Sequence, residues 1–395
     1  TADITKADLA VSGLTASNKV YDTTVTATLG GTATVSALSG DTVTVGGTAA
    51  GVFANKNVGT GKAITVSGVT ISGTDADNYN LIQQTGLTAN ITKADLAVSG
   101  LTASNKVYDT TVTATLGGTA TVTALGSDVL SVGGTAAGVF ADKNVGTGKA
   151  ITVSGVTLGG TDAGNYNLLQ QTGLTADITK ADLAVTGLTV SNKVYDASTT
   201  ATLGGTAAVS ALSGDTVTVG GTAVGAFANK NVGTGKAITV SGVTISGTDA
   251  DNYNLVQQTG LTANITAKSI TISGTTASNS VYNAGTVATL VTTSSALTSG
   301  ASASNDNKYY TGDTVTLVKT NAVGAFADKN VGTGKAITVS GFTISGGDAG
   351  NYNLVQPTGL TADITKADLA VSGLTASNKV YDTTVTATLG GTATV

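Results

Sequence analysis

The stretch Ala63-Ile-Thr-Val-Ser-Gly-Val-Thr-Ile-Ser-Gly73 decides the fold. Ile64, Val66 and Val69 alternate with Thr65, Ser67 and Thr70, once Gly68 has shifted the phase by one residue. Successive side chains of a strand point to opposite faces, so this pattern predicts one buried and one wetted face. Val25, Ala27 and Leu29 against Thr24, Thr26 and Thr28 repeat it. Residues 8–13, 19–22, 25–30, 32–38, 42–46, 52–54, 63–73 and 79–83 read as short strands, separated by Gly-Gly, Ser-Gly-Asp and Gly-Thr-Asp turns. No stretch sustains a helical period. The fold class is therefore all-β. Seven or eight strands per repeat predict a tandem array of immunoglobulin-like β-sandwich modules forming an elongated fibre.

The array is visible in the spacing. Val-Tyr recurs at Tyr21, Tyr108, Tyr195, Tyr282 and Tyr381, at intervals of 87, 87, 87 and 99 residues, and Ile-Thr at Ile4, Ile91, Ile178, Ile265 and Ile364 gives the same intervals. The predicted organisation is the end of a preceding module at 1–3, then modules at 4–90, 91–177, 178–264 and 265–363, and a truncated fifth at 364–395. The fourth carries a 12-residue insertion within 292–310. Residues 5–35, 92–122 and 365–395 are identical, the mark of recent tandem duplication. Opening and stopping inside modules, the chain reads as a window on a longer array. A run from 86 to 99 is expected to leave one module as a strand and enter the next. Tyr21, Phe53 and Tyr79, with their repeats, are the largest apolar groups available and are expected to anchor each core.

Composition narrows the function. The 395 residues contain 19 Lys and no Arg, 24 Asp and no Glu, and no His, Cys, Met or Trp. Without His and Cys there is no imidazole or thiolate ligand for zinc, copper or haem, no Ser-His-Asp triad and no disulfide. Without Arg the two-point grip on phosphate is lost. Net charge is −5, thinly spread, so no basic patch offers itself to nucleic acid. No apolar run is long enough for a membrane-spanning helix. These features point to structure and away from catalysis: no enzyme, no cofactor, no metal, and no catalytic or cofactor-binding residue. The partners expected are neighbouring modules of the same chain, with other copies of the chain left open and the receptor unknown.

Three blocks at fixed spacing are specific: Lys19-Val-Tyr-Asp22 followed by Thr-Ala-Thr-Leu, Ala54-Asn-Lys-Asn-Val-Gly-Thr-Gly-Lys-Ala-Ile-Thr-Val-Ser-Gly68, and Ala76-Asp-Asn-Tyr-Asn-Leu81. In them the chain resembles the YDG-type repeat domains of large secreted bacterial adhesins, the filamentous-haemagglutinin-like proteins, over its whole length. The glycine of the name-giving motif is replaced by Thr23, Thr110, Ala197 and Thr383, and the fourth module reads Tyr282-Asn-Ala-Gly. The resemblance implies a stalk or fibre on the bacterial cell surface, extracellular, with no catalytic residues to carry over. The low charge and open strand edges keep a second reading in play, a self-assembling extracellular filament whose chains pair or exchange strands. A carbohydrate- or ice-binding face on the outward Thr-x-Thr rows is a lesser alternative.

Several clusters look functional and have plainer readings. Asp75-Ala-Asp77 and Asp249-Ala-Asp251 place two carboxylates two apart, as a Ca²⁺ loop does, but Gly164 and Gly350 replace the second acid elsewhere, and a solvated turn is the simpler account. The run from Lys56 to Lys62 lacks phosphate-loop spacing and reads as a turn into the 63–73 strand. Lys19, Lys56 and Lys62 with Asn57, Asn78 and Asp22 could form a Lys–Asn cross-link only if a lysine were buried and neutral. Asn90-Ile-Thr and Asn264-Ile-Thr are glycosylation sequons whose equivalents are Asp3, Asp177 and Asp363, so exchange of Asn and Asp is the better account. Within the insertion, the run Asn305-Asp-Asn-Lys-Tyr-Tyr310 holds the one aromatic and acidic cluster that a ligand could use, with loop packing as the plain reading of Tyr309 and Tyr310.

Overall fold

Threonine and valine, alternating in short runs between glycines, give strands and almost nothing else. A computed structural model describes residues 1–301 and 306–395; Asn305 lies outside the described residues. In the first module the strands are β1 (Ala7–Ala10), β2 (Ser12–Ala16), β3 (Lys19–Val20), β4 (Thr26–Ala27), β5 (Leu29–Thr34), β6 (Thr44–Phe53), β7 (Gly59–Ser72), β8 (Tyr79–Ile82) and β9 (Thr88–Thr92). A five-stranded sheet runs in the order β3-β9-β7-β6-β4, while β1 pairs in parallel with β8 and β2 pairs antiparallel with β5. The second repeat, and the third, follow the same plan. The only helical elements among the described residues are single 3-10 turns such as Ala76–Asn78 and Ala163–Asn165. No helix is long and apolar enough to cross a membrane.

The strands expected at 42–46 and 52–54 are one strand, β6, and the glycine pair between them bends it without ending it. Gly47 (φ 76°) and Gly68 (φ 85°) face each other where the β6–β7 register shifts. A Cβ on Gly47 would stand 2.2 Å from the Gly68 carbonyl oxygen, so both positions require glycine. Conversely, the single strand expected at 8–13 is two. Val11 donates its N–H to the Ile82 carbonyl (2.9 Å), after which the chain leaves β8 and takes up β5. The two-residue strands β3 and β4 form both edges of the five-stranded sheet, leaving little edge for another chain to extend.

Ile64, Val66 and Val69 are buried as the alternation requires, and Tyr21, Phe53 and Tyr79 are core residues. Val25, expected inward, is exposed, because it precedes β4 at the sheet edge. Side-chain amides complete the layers. Gln83 donates to the Val69 carbonyl and accepts from its N–H, and Gln84 does the same at Leu14. Each glutamine thus takes the place of a strand neighbour where β8 has ended, leaving no backbone group there unpaired.

The chain divides into two compact units, Thr1–Asp182 with Ala211–Val217 and Gly247–Asn254, and Leu183–Ser210 with Thr218–Ser246 and Leu255–Val395. In the first, the 86–99 run is two strands, β9 and β10 (Ala94–Ala97), parted only at Lys93. β9 belongs to the sheet of the first module, and β10 pairs with Tyr166–Leu169 of the second. The core follows the chain: Tyr21 and Phe53 share one buried cluster with Leu96 and Tyr166. In the second unit Tyr195 and Phe227 share a cluster with Ile270, Tyr310 and Tyr352. Core and strand therefore run through the repeat boundaries within each unit.

The second residue after the tyrosine keeps a left-handed backbone although glycine is missing there: φ is 68° at Thr23, 67° at Thr110, 59° at Ala197, 63° at Ala284 and 62° at Thr383. A β-branched side chain resists that conformation. Replacing Thr110 with Gly should therefore raise stability by up to about 1 kcal/mol, the roughly 1–2 kcal/mol that a left-handed backbone costs a residue with a Cβ less the about 0.4–1 kcal/mol of unfolded-state entropy that glycine adds. A urea-unfolding midpoint that moves upward checks this; a fall would show that the threonine side chain contributes more than its backbone strain costs.

Candidate functional site

The densest polar chemistry lies where one module meets the next. Tyr21 follows β3, and Lys56 sits in the turn between β6 and β7. Both reach Asp128 of the following module. The Tyr21 hydroxyl donates to Asp128 Oδ2 (2.6 Å), the Tyr166 hydroxyl donates to the same oxygen (2.7 Å), and Lys56 Nζ lies 2.5 Å from Oδ1. Asp162 adds a second carboxylate 3.5 Å from Lys56. The Asn165 side chain, held by its 3-10 turn, accepts the Val58 N–H (2.9 Å) and donates to Asn57. Tyr21 and Tyr166 meet edge to face with ring centroids 5.5 Å apart.

The arrangement recurs. At the next junction Tyr108 and Lys143 reach Asp215 at 2.8 and 2.7 Å, Tyr253 donates to it at 2.7 Å, and Val145 donates to Asn252. In the second unit Tyr195 and Lys230 reach Asp313 at 2.7 and 2.6 Å, Tyr352 donates to it at 2.6 Å, and Val232 donates to Asn351. The receiving face is preformed within its own module, since Tyr166 also accepts the Leu125 N–H, and Tyr79 already bridges Leu38 and Asp41 in the first module.

The electrostatics follow from burial. The Asp128 side chain is 0% exposed. Burial alone would raise its pKa, but the Lys56 ammonium and then the two tyrosine hydroxyls outweigh it and hold the carboxyl below its ordinary value. Asp215 and Asp313 are lowered in the same way by Lys143 and Lys230. The hydrogen bond that Lys56 donates to Asp128 pushes its amine up, so it remains protonated. Burial, then the bond to Asp128, pushes the Tyr166 phenol up to about 12.

The residues singled out in the sequence are placed as follows. Asp75 accepts the Thr42 N–H (2.8 Å) and the Thr74 hydroxyl (3.1 Å), which closes a loop; no group of three or more acidic ligands is gathered among the described residues. Lys62 bonds Asn55, and Lys19 pairs with Asp22 at 2.6 Å. Lys56, a candidate for cross-linking, is a protonated ion-pair partner and not a neutral nucleophile. Asn90 accepts the Gly61 N–H through Oδ1, and Asp177 accepts the Gly148 N–H in the same way, which is why Asn and Asp interchange there. Tyr310 is buried beside Tyr195, and Tyr309 is half-buried.

Asp128, Asn165 and Tyr166 were not legible as one site, because the residues they meet lie far back in the sequence, Asp128 being 72 residues from Lys56 and 107 from Tyr21. The available signal was an aspartate recurring at 41, 128 and 215 in a turn, with the same period as the tyrosines.

A YDG domain model matches the chain four times, over residues 5–86, 92–173, 179–260 and 266–359, and the chain belongs to that family. No curated protein shows significant similarity to it.

Two outcomes test the junction. Asp128→Asn keeps the shape, removes the charge and leaves Lys56 with Asp162 alone. Loss of charged hydrogen bonds to a buried group should cost about 1.5–3 kcal/mol, read as faster hydrogen exchange at Val58 and Tyr21 but not at the Asp215 junction. The pH dependence has two limbs. Asp128, Asp215 and Asp313 have folded pKa values below the unfolded ones, so their contribution is complete above roughly pH 4 and is lost as pH falls through the folded values. Lys56 and Tyr166 are raised, so theirs is complete below about pH 10 and is lost as pH climbs. Unfolding midpoints across pH should show a plateau between these limits; a maximum at an acidic pH would contradict the assignment.

Proposed function

We propose that this chain is a structural repeat region, a stalk or fibre segment of an extracellular bacterial adhesin that projects a distal tip or mediates cell-surface and biofilm contacts. Its modules are taken as immunoglobulin-like sandwiches whose role is mechanical and geometric, not enzymatic. The observation that carries the reading is the recurrence of one latch at three junctions, each built from the same tyrosine, lysine, aspartate and asparagine types. The Asp128 and Asp313 junctions also have a shared core behind them, which restricts hinging between those neighbours. A composition without His, Cys, Arg or Glu supports a non-catalytic role. The YDG family resemblance is what supports the cell-surface location.

A second reading is a filament in which copies of the chain join, and the low charge of the sequence, 19 Lys and 24 Asp in 395 residues, is what supports it.

Electron microscopy of the chain separates the two. A stalk should appear as single particles whose length grows by roughly 30–45 Å per module, if strands run along it at about 3.3 Å per residue. Ordered multi-chain filaments with a helical repeat would favour assembly. Compact particles with no dependence on module number would remove both.

A further inference from the structure

Oxidation of this chain by one electron must fall on tyrosine. Cys, Met, Trp and His, which compete with it elsewhere, are absent from the sequence. The tyrosines are not scattered. Tyr21 with Tyr166, Tyr108 with Tyr253, and Tyr195 with Tyr352 form edge-to-face pairs with centroids 5.5, 5.6 and 5.4 Å apart, and each pair straddles a module junction. At the third junction Tyr310 adds another ring 5.9 Å from Tyr195. In every pair both hydroxyls donate to one carboxylate oxygen: Asp128 Oδ2 at 2.6 and 2.7 Å, Asp215 Oδ2 at 2.8 and 2.7 Å, and Asp313 Oδ2 at 2.7 and 2.6 Å.

That geometry does two things beyond holding the junction together. It keeps two phenols on a common acceptor, so their rings are confined to contact. It also places a base at hydrogen-bond distance from each hydroxyl, ready for the proton that an oxidised phenol sheds at once. We infer that the junctions are sites of oxidative tyrosine coupling, where a peroxide-driven one-electron oxidant joins the two rings by a carbon–carbon bond and staples neighbouring modules covalently.

The step balances as follows. Each phenol gives one electron to the oxidant and its hydroxyl proton to the shared aspartate, which releases it to water. The two phenoxyl radicals combine through ring carbons ortho to the oxygens, and the hydrogens on those carbons shift to the oxygens, restoring both phenols. The peroxide O–O bond breaks and takes up the two electrons and two protons. With hydrogen peroxide, two tyrosines and one peroxide give one dityrosine and two waters. Proximity supplies much of the advantage over coupling between chains, because rings already in contact need only tilt to bring the ortho carbons together. An electron can leave a buried ring without the oxidant touching it, so burial of these tyrosines does not bar the reaction. It does protect the radicals from water and from other chains.

The test uses the full chain, dilute, photo-oxidised with ruthenium tris-bipyridyl and persulfate, a peroxide, then digested and mapped by mass spectrometry. The expected product is a monomer lighter by two hydrogens per link, with up to three links and the blue fluorescence of dityrosine. Its cross-linked peptides should join Tyr21 to Tyr166, Tyr108 to Tyr253, and Tyr195 to Tyr352 or Tyr310. Tyr166→Phe should remove the first link and leave the other two, which report that the rest of the chain is folded. Links found only between chains through Tyr309 or Tyr381 would overturn the inference. So would oxygen addition without the loss of two hydrogens, or survival of the first link in the Tyr166→Phe chain.

Discussion

One buried carboxylate per junction governs how the modules meet. Taken out of water alone, Asp128 would be costly, and its module has no lysine that reaches it among the described residues. Its own Tyr166 supplies one hydrogen bond, while the cation and the second hydroxyl come from the module before. The charge is thus satisfied only when two modules are in register, which makes the aspartate a device for specificity as much as for affinity. The lysine stays about a third exposed, at 34%, so the pair does not carry the full penalty of burying two charges. It keeps one end in water and lays its stem over the Tyr21 ring, with Nζ 5.9 Å from the centroid.

The fourth module shows what must be held constant when the sequence changes. Its insertion lengthens the separation between the paired tyrosine and aspartate from 107 to 118 residues, yet Asp313 receives Tyr195, Lys230 and Tyr352 as Asp128 receives their counterparts. The added segment is anchored from behind. Lys268 stands where the other modules have Ala94 and Ala181, is 1% exposed, and donates to Asp306 (2.6 Å) and to the Lys308 carbonyl (2.5 Å). Its Nζ lies 4.4 Å from the Tyr310 ring centroid. Change and compensation therefore occur in the same module: a buried lysine appears where there is an acid and a carbonyl to receive it.

Periodicity made the strands legible wherever apolar and hydroxyl side chains alternate, as in β7, and it located the core tyrosines and Phe53. It could not separate a glycine that ends a strand from one that bends it, because both demand positive φ. Only the partner at Gly68 shows that Gly47 is a bulge. It also could not pair residues across modules. A repeat of 87 residues reports that Tyr21, Tyr108 and Tyr195 are equivalent, but not that each one contacts the following copy and not its own. The glutamines were invisible for a related reason: Gln83 and Gln84 act as backbone surrogates, and nothing in a polar loop residue announces that use.

The differences between near-identical modules sort by how much of a side chain is used. Asn90, Asp177, Asn264 and Asp363 each offer Oδ1 to a glycine N–H at 2.7–2.8 Å, a bond that amide and acid make equally well, and the second oxygen of Asp177 takes only a longer bond from Asn105 (3.3 Å). Asn55, Asp142 and Asn229 likewise each give one oxygen to a lysine at 2.7 Å. The junction aspartate is different, because both of its oxygens are engaged and an amide would face the lysine with a neutral group. Asn165 likewise uses its carbonyl to accept and its amide to donate, which an aspartate cannot do. Where one atom suffices the modules vary between Asn and Asp; where two are required the residue type is the same at all three junctions. The chemistry of contact, and not the repetition alone, therefore sets which positions a duplicated module is free to change.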